Sequence, residues 1–234
     1  MIAYKDIEQG SEEWFLIKWG KVGGSTAKGL YINSDTLFLD LLSQCLEEFE
    51  LEESFDSFSM MRGRELEPFA RDFISDYTGI KFEEYGWLQS KKCSLLGISP
   101  DGMSSDEKVA CEIKCLGRKA HAEVLLNQEP PRIYMEQIIH YFTINPKLES
   151  LFFIAFRPET VQHFIKEYKR TDKIDLGWKK KVEISQFGAK GKPIKPKIVS
   201  EPDVKTIVEW SAIAIEEALR LEKKIKETVE LLQF

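Results

Sequence analysis

No stretch of this chain stays apolar long enough to cross a bilayer. Its first ten residues carry Asp6 and Glu8 where a secretory leader would have an apolar core. These two absences set the expectation of a soluble, cytoplasmic protein with no membrane partner. Cysteine is scarce: there are four, at 45, 93, 111 and 115, and no two have the C-x-x-C spacing of a zinc ribbon or redox pair. Reduced thiols in a core are expected instead of a structural metal. Internal repeats and long low-complexity linkers are also missing. Nor is there an excess of basic charge, since 33 Lys and Arg against 39 Asp and Glu leave a net charge of −6. That excludes a uniformly adhesive nucleic-acid binder, although a local basic surface remains compatible with it.

What is present is a globular composition, with 43% hydrophobic and 12% aromatic residues, and a length of 234 that suits one domain with a sizeable core. The charge is unevenly spread. Residues 45–56, CLEEFELEESFD, are acidic, whereas 166–181 and 190–197 are basic. Two basic runs close together favour a surface that faces a polyanion.

Local patterns divide the chain into helices and strands. Residues 11–29 read as a helix, a Gly23-Gly24 turn and a second helix start at Ser25. Residues 34–49 read as an amphipathic helix capped by Ser34 or Asp35, with Leu37, Leu41, Leu42 and Cys45 inward. In 61–79, Pro68 is expected in the first turn, so the helix should begin near 64–67, with Leu66, Phe69, Ala70, Phe73 and Tyr77 buried and Gly79 ending it. Glu67 lies in line with Ala70 and Ile74, at the edge of the buried face. Strands are expected at 81–89, 93–98 and 109–115, a proline-led helix at 130–145, a doubly covered strand at 150–158 and an edge strand at 161–170. A last helix over 203–232 should bury Val204, Val208, Ser211, Ile215, Ala218, Ile225, Val229 and Leu232. Helices flanking a sheet make an α/β fold.

The stretch 97–115, GISPDGMSSDEKVACEIKC, carries the chemistry. Alternation on a strand points Glu112 and Lys114 one way and Cys111, Ile113 and Cys115 the other. If the Pro100-Asp101-Gly102 turn brings Asp101 alongside, two carboxylates converge in a cleft and repel unless a cation lies between them. Oxygen ligands without imidazole suit Mg²⁺, or Mn²⁺, rather than zinc. A lysine beside such a cation can hold or deprotonate a water, which is equipment for phosphodiester hydrolysis. Taken alone, Glu-x-Lys on a strand is also a common wet face, and Asp before Gly a common turn.

Five stretches in order, EQGSEEWFLIKWGKVGGSTA (8–27), RGRELEPFAR (62–71), GISPDG (97–102), CEIKC (111–115) and YMEQIIHY (134–141), resemble the lambda exonuclease family of phage recombination enzymes, the YqaJ-type viral recombinases of the PD-(D/E)xK nuclease superfamily. The resemblance runs from residue 8 to about 157 and implies a restriction-endonuclease-like core, a central mixed sheet flanked by helices. Together with the local patterns, it sets the expectation of one nuclease domain over 1–234, with a core at about 8–170, a basic segment at 171–200 and the helix at 203–232.

It also implies roles. Asp101 and Glu112 would hold metal, with the Ile113 carbonyl a third ligand, and Lys114 would position the attacking water. Glu67 would help hold a second ion, and Gln137 would orient Lys114 or the metal cluster. Lys18, Ser25 and Ser99 fall where the family binds a terminal 5′-phosphate, although the family tends to use arginine at the position of Lys18. The implied activity is Mg²⁺-dependent 5′–3′ digestion of duplex DNA ends, leaving a 3′ single strand, in a bacterial or phage-infected cell. A single-strand annealing protein is the implied partner. A PD-(D/E)xK endonuclease and a DNA-end-binding module without turnover are the alternatives. No iron–sulfur cluster is expected, because Cys111 and Cys115 face the core. A homotrimeric ring is expected, with Lys179, Lys180, Lys181, Lys190, Lys192, Lys195 and Lys197 toward the DNA.

Overall fold

The computed structural model describes residues 1–51, 57–187 and 193–232. Along the chain it has β1 (Ile2–Tyr4), α1 (Glu12–Lys18), a 3₁₀ turn (Gly24–Thr26), α2 (Lys28–Tyr31), α3 (Asp35–Leu46), α4 (Phe58–Thr78), β2 (Trp87–Gln89), β3 (Gly97–Ile98), β4 (Gly102–Met103) and β5 (Val109–Lys114). There follow α5 (Arg118–Asn127), a 3₁₀ turn (Arg132–Tyr134), α6 (Met135–Ile144), β6 (Ser150–Ala155), β7 (Phe164–Lys169), β8 (Lys173–Phe187), β9 (Pro193–Thr206) and α7 (Ile207–Leu232). The central sheet has the order β4-β5-β6-β7, and β5 and β6 pair in parallel while the outer pairs are antiparallel. This is the expected mixed sheet flanked by helices, an α/β fold.

β5 divides two apolar clusters. Ala110 packs on one side with Ile138, Tyr141, Phe142 and Trp210. Cys111 and Ile113 pack on the other with Ala70, Ile74, Phe82 and Phe156, and Cys115 lies partly buried at its margin. α4 therefore covers one face of the strand and α6 the other.

Several expectations need correction. α4 is capped by Ser57 and runs through Pro68, which removes one main-chain donor from mid-helix instead of starting it. Only Ala70 and Ile74 of α4 are buried, whereas Phe69 is 64% and Tyr77 66% exposed, because the helix meets the sheet along a narrow line. Cys45 is exposed beyond the buried Leu37, Leu41 and Leu42 of α3. Strand 81–89 shrinks to β2, and 93–98 to the two residues of β3. Helix 130–145 opens as a 3₁₀ turn before α6. The stretch 116–129, left unassigned above, contains α5.

The basic segment is the largest difference. It forms a long two-stranded hairpin, β8–β9, whose second strand takes the residues assigned to the start of the last helix. α7 begins at Ile207 and buries Ile207, Trp210, Ser211, Ala214, Ala218 and Ile225, while Val204, Val208 and Leu232 are exposed. The hairpin base is fixed by buried Ile174 and Leu176, and by Trp178 at 5.4 Å from the Trp210 ring.

Candidate active site

The site begins with a gap in hydrogen bonding. β4 starts opposite Cys111, so the Ile113 N–H lies past the end of that ladder. Asp101 Oδ2 accepts it at 2.7 Å, which fixes the aspartate beside β5. The next residue has no room for a side chain, since a Cβ on Gly102 would lie 2.6 Å from Cys111 Sγ.

Glu112 and Lys114 do share a face, as alternation requires, and they form an ion pair. Their exposure differs: Glu112 is 0% exposed and Lys114 23%. Glu112 therefore sits beneath the cleft rather than in it, because α6 covers that face of β5. Its Oε2 accepts from the Tyr141 hydroxyl at 2.7 Å, and its Oε1 faces the Lys114 ammonium without the alignment of a hydrogen bond. The same tyrosine oxygen lies 3.4 Å from the Asp101 amide, so α6 ties both acids together. The Lys114 ammonium also lies 5.2 Å from the centre of the Tyr134 ring.

A cleft of about 770 Å³ opens above this floor, lined by Glu67, Arg71, Glu84, Asp101, Ile113, Lys114 and Tyr134 among others, with Trp14 and Phe15 on its wall. Burial, and then the Glu112 carboxylate, push the Asp101 pKa well above the usual range. Burial also raises Glu67, against the opposing pull of Arg71. Burial works against the charge of Lys114, but Glu112 and Asp101 outweigh it and hold the ammonium above the ordinary lysine range. Lys114 is thus a firmly protonated donor in this arrangement.

The residues fit a hard divalent cation in type. Asp101, raised by burial and then by the Glu112 carboxylate, gains from positive charge placed beside it. Among the described residues no histidine lines the cleft, and the Cys115 thiol at its edge is pushed up to about 11 by burial, which suppresses soft ligation. Among the described residues no three His, Cys, Asp or Glu side chains are already gathered around one point. Glu67 is engaged by Arg71 and Glu112 by Lys114.

The proposed phosphate residues are only partly together. Trp14 Nε1 donates to Ser99 Oγ at 2.7 Å, and the Lys18 ammonium lies 3.2 Å from the centre of a Trp14 ring. Burial lowers the Lys18 pKa to about 8, and the ring face works the other way by favouring the charged form. Ser25 is exposed on the 3₁₀ turn and joins neither residue. Gln137 packs against Gly24, where a Cβ would lie 2.9 Å from its Cγ, and makes no hydrogen bond to Lys114 among the described residues. Lys179, Lys180, Lys181, Lys195 and Lys197 are exposed on the hairpin, whereas Lys190 and Lys192 lie outside the described residues.

The sequence reading missed Tyr141, Arg71 and Trp14. Two carried a signal: Tyr141 is four residues after Gln137 and Arg71 four after Glu67, one helical turn on the same face.

The sequence profile of the YqaJ-like viral recombinase domain matches residues 13–146, more than half of the chain. The protein belongs to that family. The matched span of this YqaJ-like protein contains Lys18, Glu67, Asp101, Glu112, Lys114 and Gln137 and ends before the hairpin. Its fold is that of an alkaline exonuclease, LHK-Exo, from Laribacter hongkongensis: the TM-score is 0.70 at 21% identity, over 95% of this chain and 96% of the other. The structure of LHK-Exo in complex with dAMP gives a TM-score of 0.69 at 21% identity, over 95% and 98%. No curated protein matches the YqaJ-like chain by sequence. No helix among its described residues is long and apolar enough to cross a membrane.

Proposed function

We propose that this YqaJ-like protein is a Mg²⁺-dependent exonuclease for double-stranded DNA, which digests the 5′-ended strand and leaves a 3′ single strand for recombination. The observation that carries this reading is the buried Glu112–Lys114 pair beside Asp101 on the floor of an open cleft. A cation-free fold has little reason to bury a carboxylate next to a second one whose pKa it raises.

Asp101, Glu112 and the Ile113 carbonyl would hold one ion and Glu67 would help hold a second. Mn²⁺ is the alternative metal. A cation there supplies charge to the scissile phosphate and its leaving oxygen. The chain's own groups do the rest. The Lys114 ammonium holds the attacking water from the cleft side, and the Tyr141 hydroxyl keeps Glu112 aimed at Lys114. Water adds to phosphorus as it sheds a proton to solvent, and the bond to the 3′ oxygen breaks as that oxygen takes up a proton, so each cut leaves a new 5′-phosphate. Lys18, desolvated over the Trp14 ring whose Nε1 donates to Ser99, suits that group. The hairpin lysines suit the duplex backbone through salt-sensitive, sequence-independent contacts. The protein would act as a homotrimeric ring in the cytoplasm of a bacterial or phage-infected cell, beside a single-strand annealing protein. A ring lets an acidic chain gather basic side chains around its substrate.

Linear duplexes labelled at either end, together with closed circular DNA, test the reading with and without Mg²⁺. Stepwise loss of the 5′-ended strand only with metal is expected. Cutting of the closed circle would make the protein an endonuclease, and end binding without turnover would make it a binding module.

A further inference from the structure

Arg71 occupies the cleft wall with a side chain only 13% exposed. Its Nε donates to the Asp101 carbonyl at 2.5 Å, and its Nη2 reaches Glu67 Oε1 at 2.5 Å and Glu84 Oε2 at 3.2 Å. One guanidinium thus ties α4 to the turn bearing Asp101 and also neutralises two carboxylates of the cleft. Its planar fork can meet a carbonyl and two acids at once, which an ammonium cannot do at fixed angles. Four carboxylates belong to this region, Glu67, Glu84, Asp101 and Glu112. Arg71 and Lys114 form ion pairs with them, and Arg64 also lies on the wall.

We propose that Arg71 is a positioning residue for hydrolysis, fixing Glu67 relative to Asp101 at the expense of divalent-cation affinity. This rests on the reading that these acids hold cations. A positive charge among metal-binding carboxylates repels an arriving cation, so its removal strengthens cation binding. The same removal frees Glu67 from the side chain that holds it to the Asp101 turn. Affinity and turnover therefore move in opposite directions. A merely structural ion pair behaves otherwise, because losing it loosens the fold and weakens both together.

Titration calorimetry with Mn²⁺ on the full chain without DNA, and digestion of an end-labelled duplex at saturating Mn²⁺, separate the two accounts. Arg71→Ala should bind Mn²⁺ roughly tenfold more tightly while kcat falls at least about tenfold. Arg71→Lys retains the charge and loses the fork, so its Mn²⁺ affinity should stay within about threefold of the parent while kcat still falls. It also decides the matter if Arg71→Ala does not fold. Parallel weakening of affinity and kcat in either variant, or unchanged kcat in both, overturns the role of Arg71. A parent protein that neither binds Mn²⁺ nor cuts DNA overturns the proposed function itself, and this inference with it.

Discussion

On β5, Glu112 has no exposed surface and each of its oxygens faces a named partner, Tyr141 or Lys114. On the β8–β9 hairpin, Lys179, Lys180 and Lys181 stand in solvent on a ribbon whose outer half is held by its own ladder. Both regions are rich in charge, but they use it differently. In the first, low dielectric makes each charge depend on its neighbours, so geometry is fixed before any ligand arrives. In the second, water screens each charge, so under the proposed function the lysines would act as a field summed over many weak contacts. Substitutions should therefore be severe and specific on the floor of the cleft, and mild and additive on the hairpin.

The largest effect is expected at the buried pair. Glu112→Gln, which keeps the shape and an acceptor for Tyr141, should reduce digestion of an end-labelled duplex by at least about 10²-fold. Lys114→Ala should reduce it similarly, and should also lower urea-unfolding stability by roughly 3 kcal/mol because a buried carboxylate loses its counter-ion. Near-normal digestion by either variant would remove the floor of the cleft from the chemistry.

The interior also holds a titrating group with no counterpart on the hairpin. His140 is buried with Nε2 2.9 Å from the Gly97 carbonyl, and burial lowers its pKa from 6.5 to about 4. Its folded-state pKa is depressed, so the unfolded chain takes up a proton first as pH falls. Its contribution is complete above pH 6.5 and is lost between there and pH 4, amounting to roughly 3 kcal/mol. Urea midpoints at pH 7 and 4.5 should diverge in the parent, and His140→Gln should narrow the gap. An unchanged gap would assign the acid sensitivity to other groups.

Lys18 stands between the two regimes, half-buried yet reachable. Lys18→Ala should cut the preference for 5′-phosphorylated over 5′-hydroxyl ends by roughly tenfold. With a pKa lowered to about 8, the ammonium is present below that pH and lost above it. The preference in the parent should therefore shrink as pH rises through 8. Equal slowing of both substrates at every pH would leave Lys18 with a general or structural task.

The smallest effect belongs to the hairpin. Replacing Lys179, Lys180 and Lys181 together by Ala should change stability by no more than about 0.5 kcal/mol. The same change should lower the slope of log affinity against log salt by up to about 3. An unaltered slope would mean that the hairpin does not touch the phosphate backbone.

The parts of the fold legible in the sequence are those where one face is buried and the other wet. The Ser34 cap and leucine stripe of α3 and the edge strand β7 followed from such contrast, while the doubly covered β6 followed from an unbroken apolar run and the helix stop, at φ 70°, from Gly79 itself. The hairpin escaped because lysine and proline runs show no alternation when neither face is packed. α4 was misjudged because a helix lying on the rim buries small Ala70 and Ile74 and leaves Phe69 and Tyr77 outside. At the site, alternation on β5 paired Glu112 with Lys114, and the turn supplied Asp101. The depth of Glu112 could not be read from β5, because it is set by α6 from a distant part of the chain. Tyr141 was hidden in a helix whose apolar neighbours are buried almost all round.

Because β5 is a party wall between two apolar clusters, neither side can be lost without undoing the arrangement on it. Collapse of the α6 side strips Glu112 of its cover and of Tyr141. Collapse of the α4 side frees Glu67, and Ile113 loses its packing. A half-folded chain, nascent on the ribosome or partly unfolded by heat, therefore carries all the residues proposed to act and none of their alignment. Under the proposed function, competence would come only with the last of the two cores, which would give the fold a built-in safety catch.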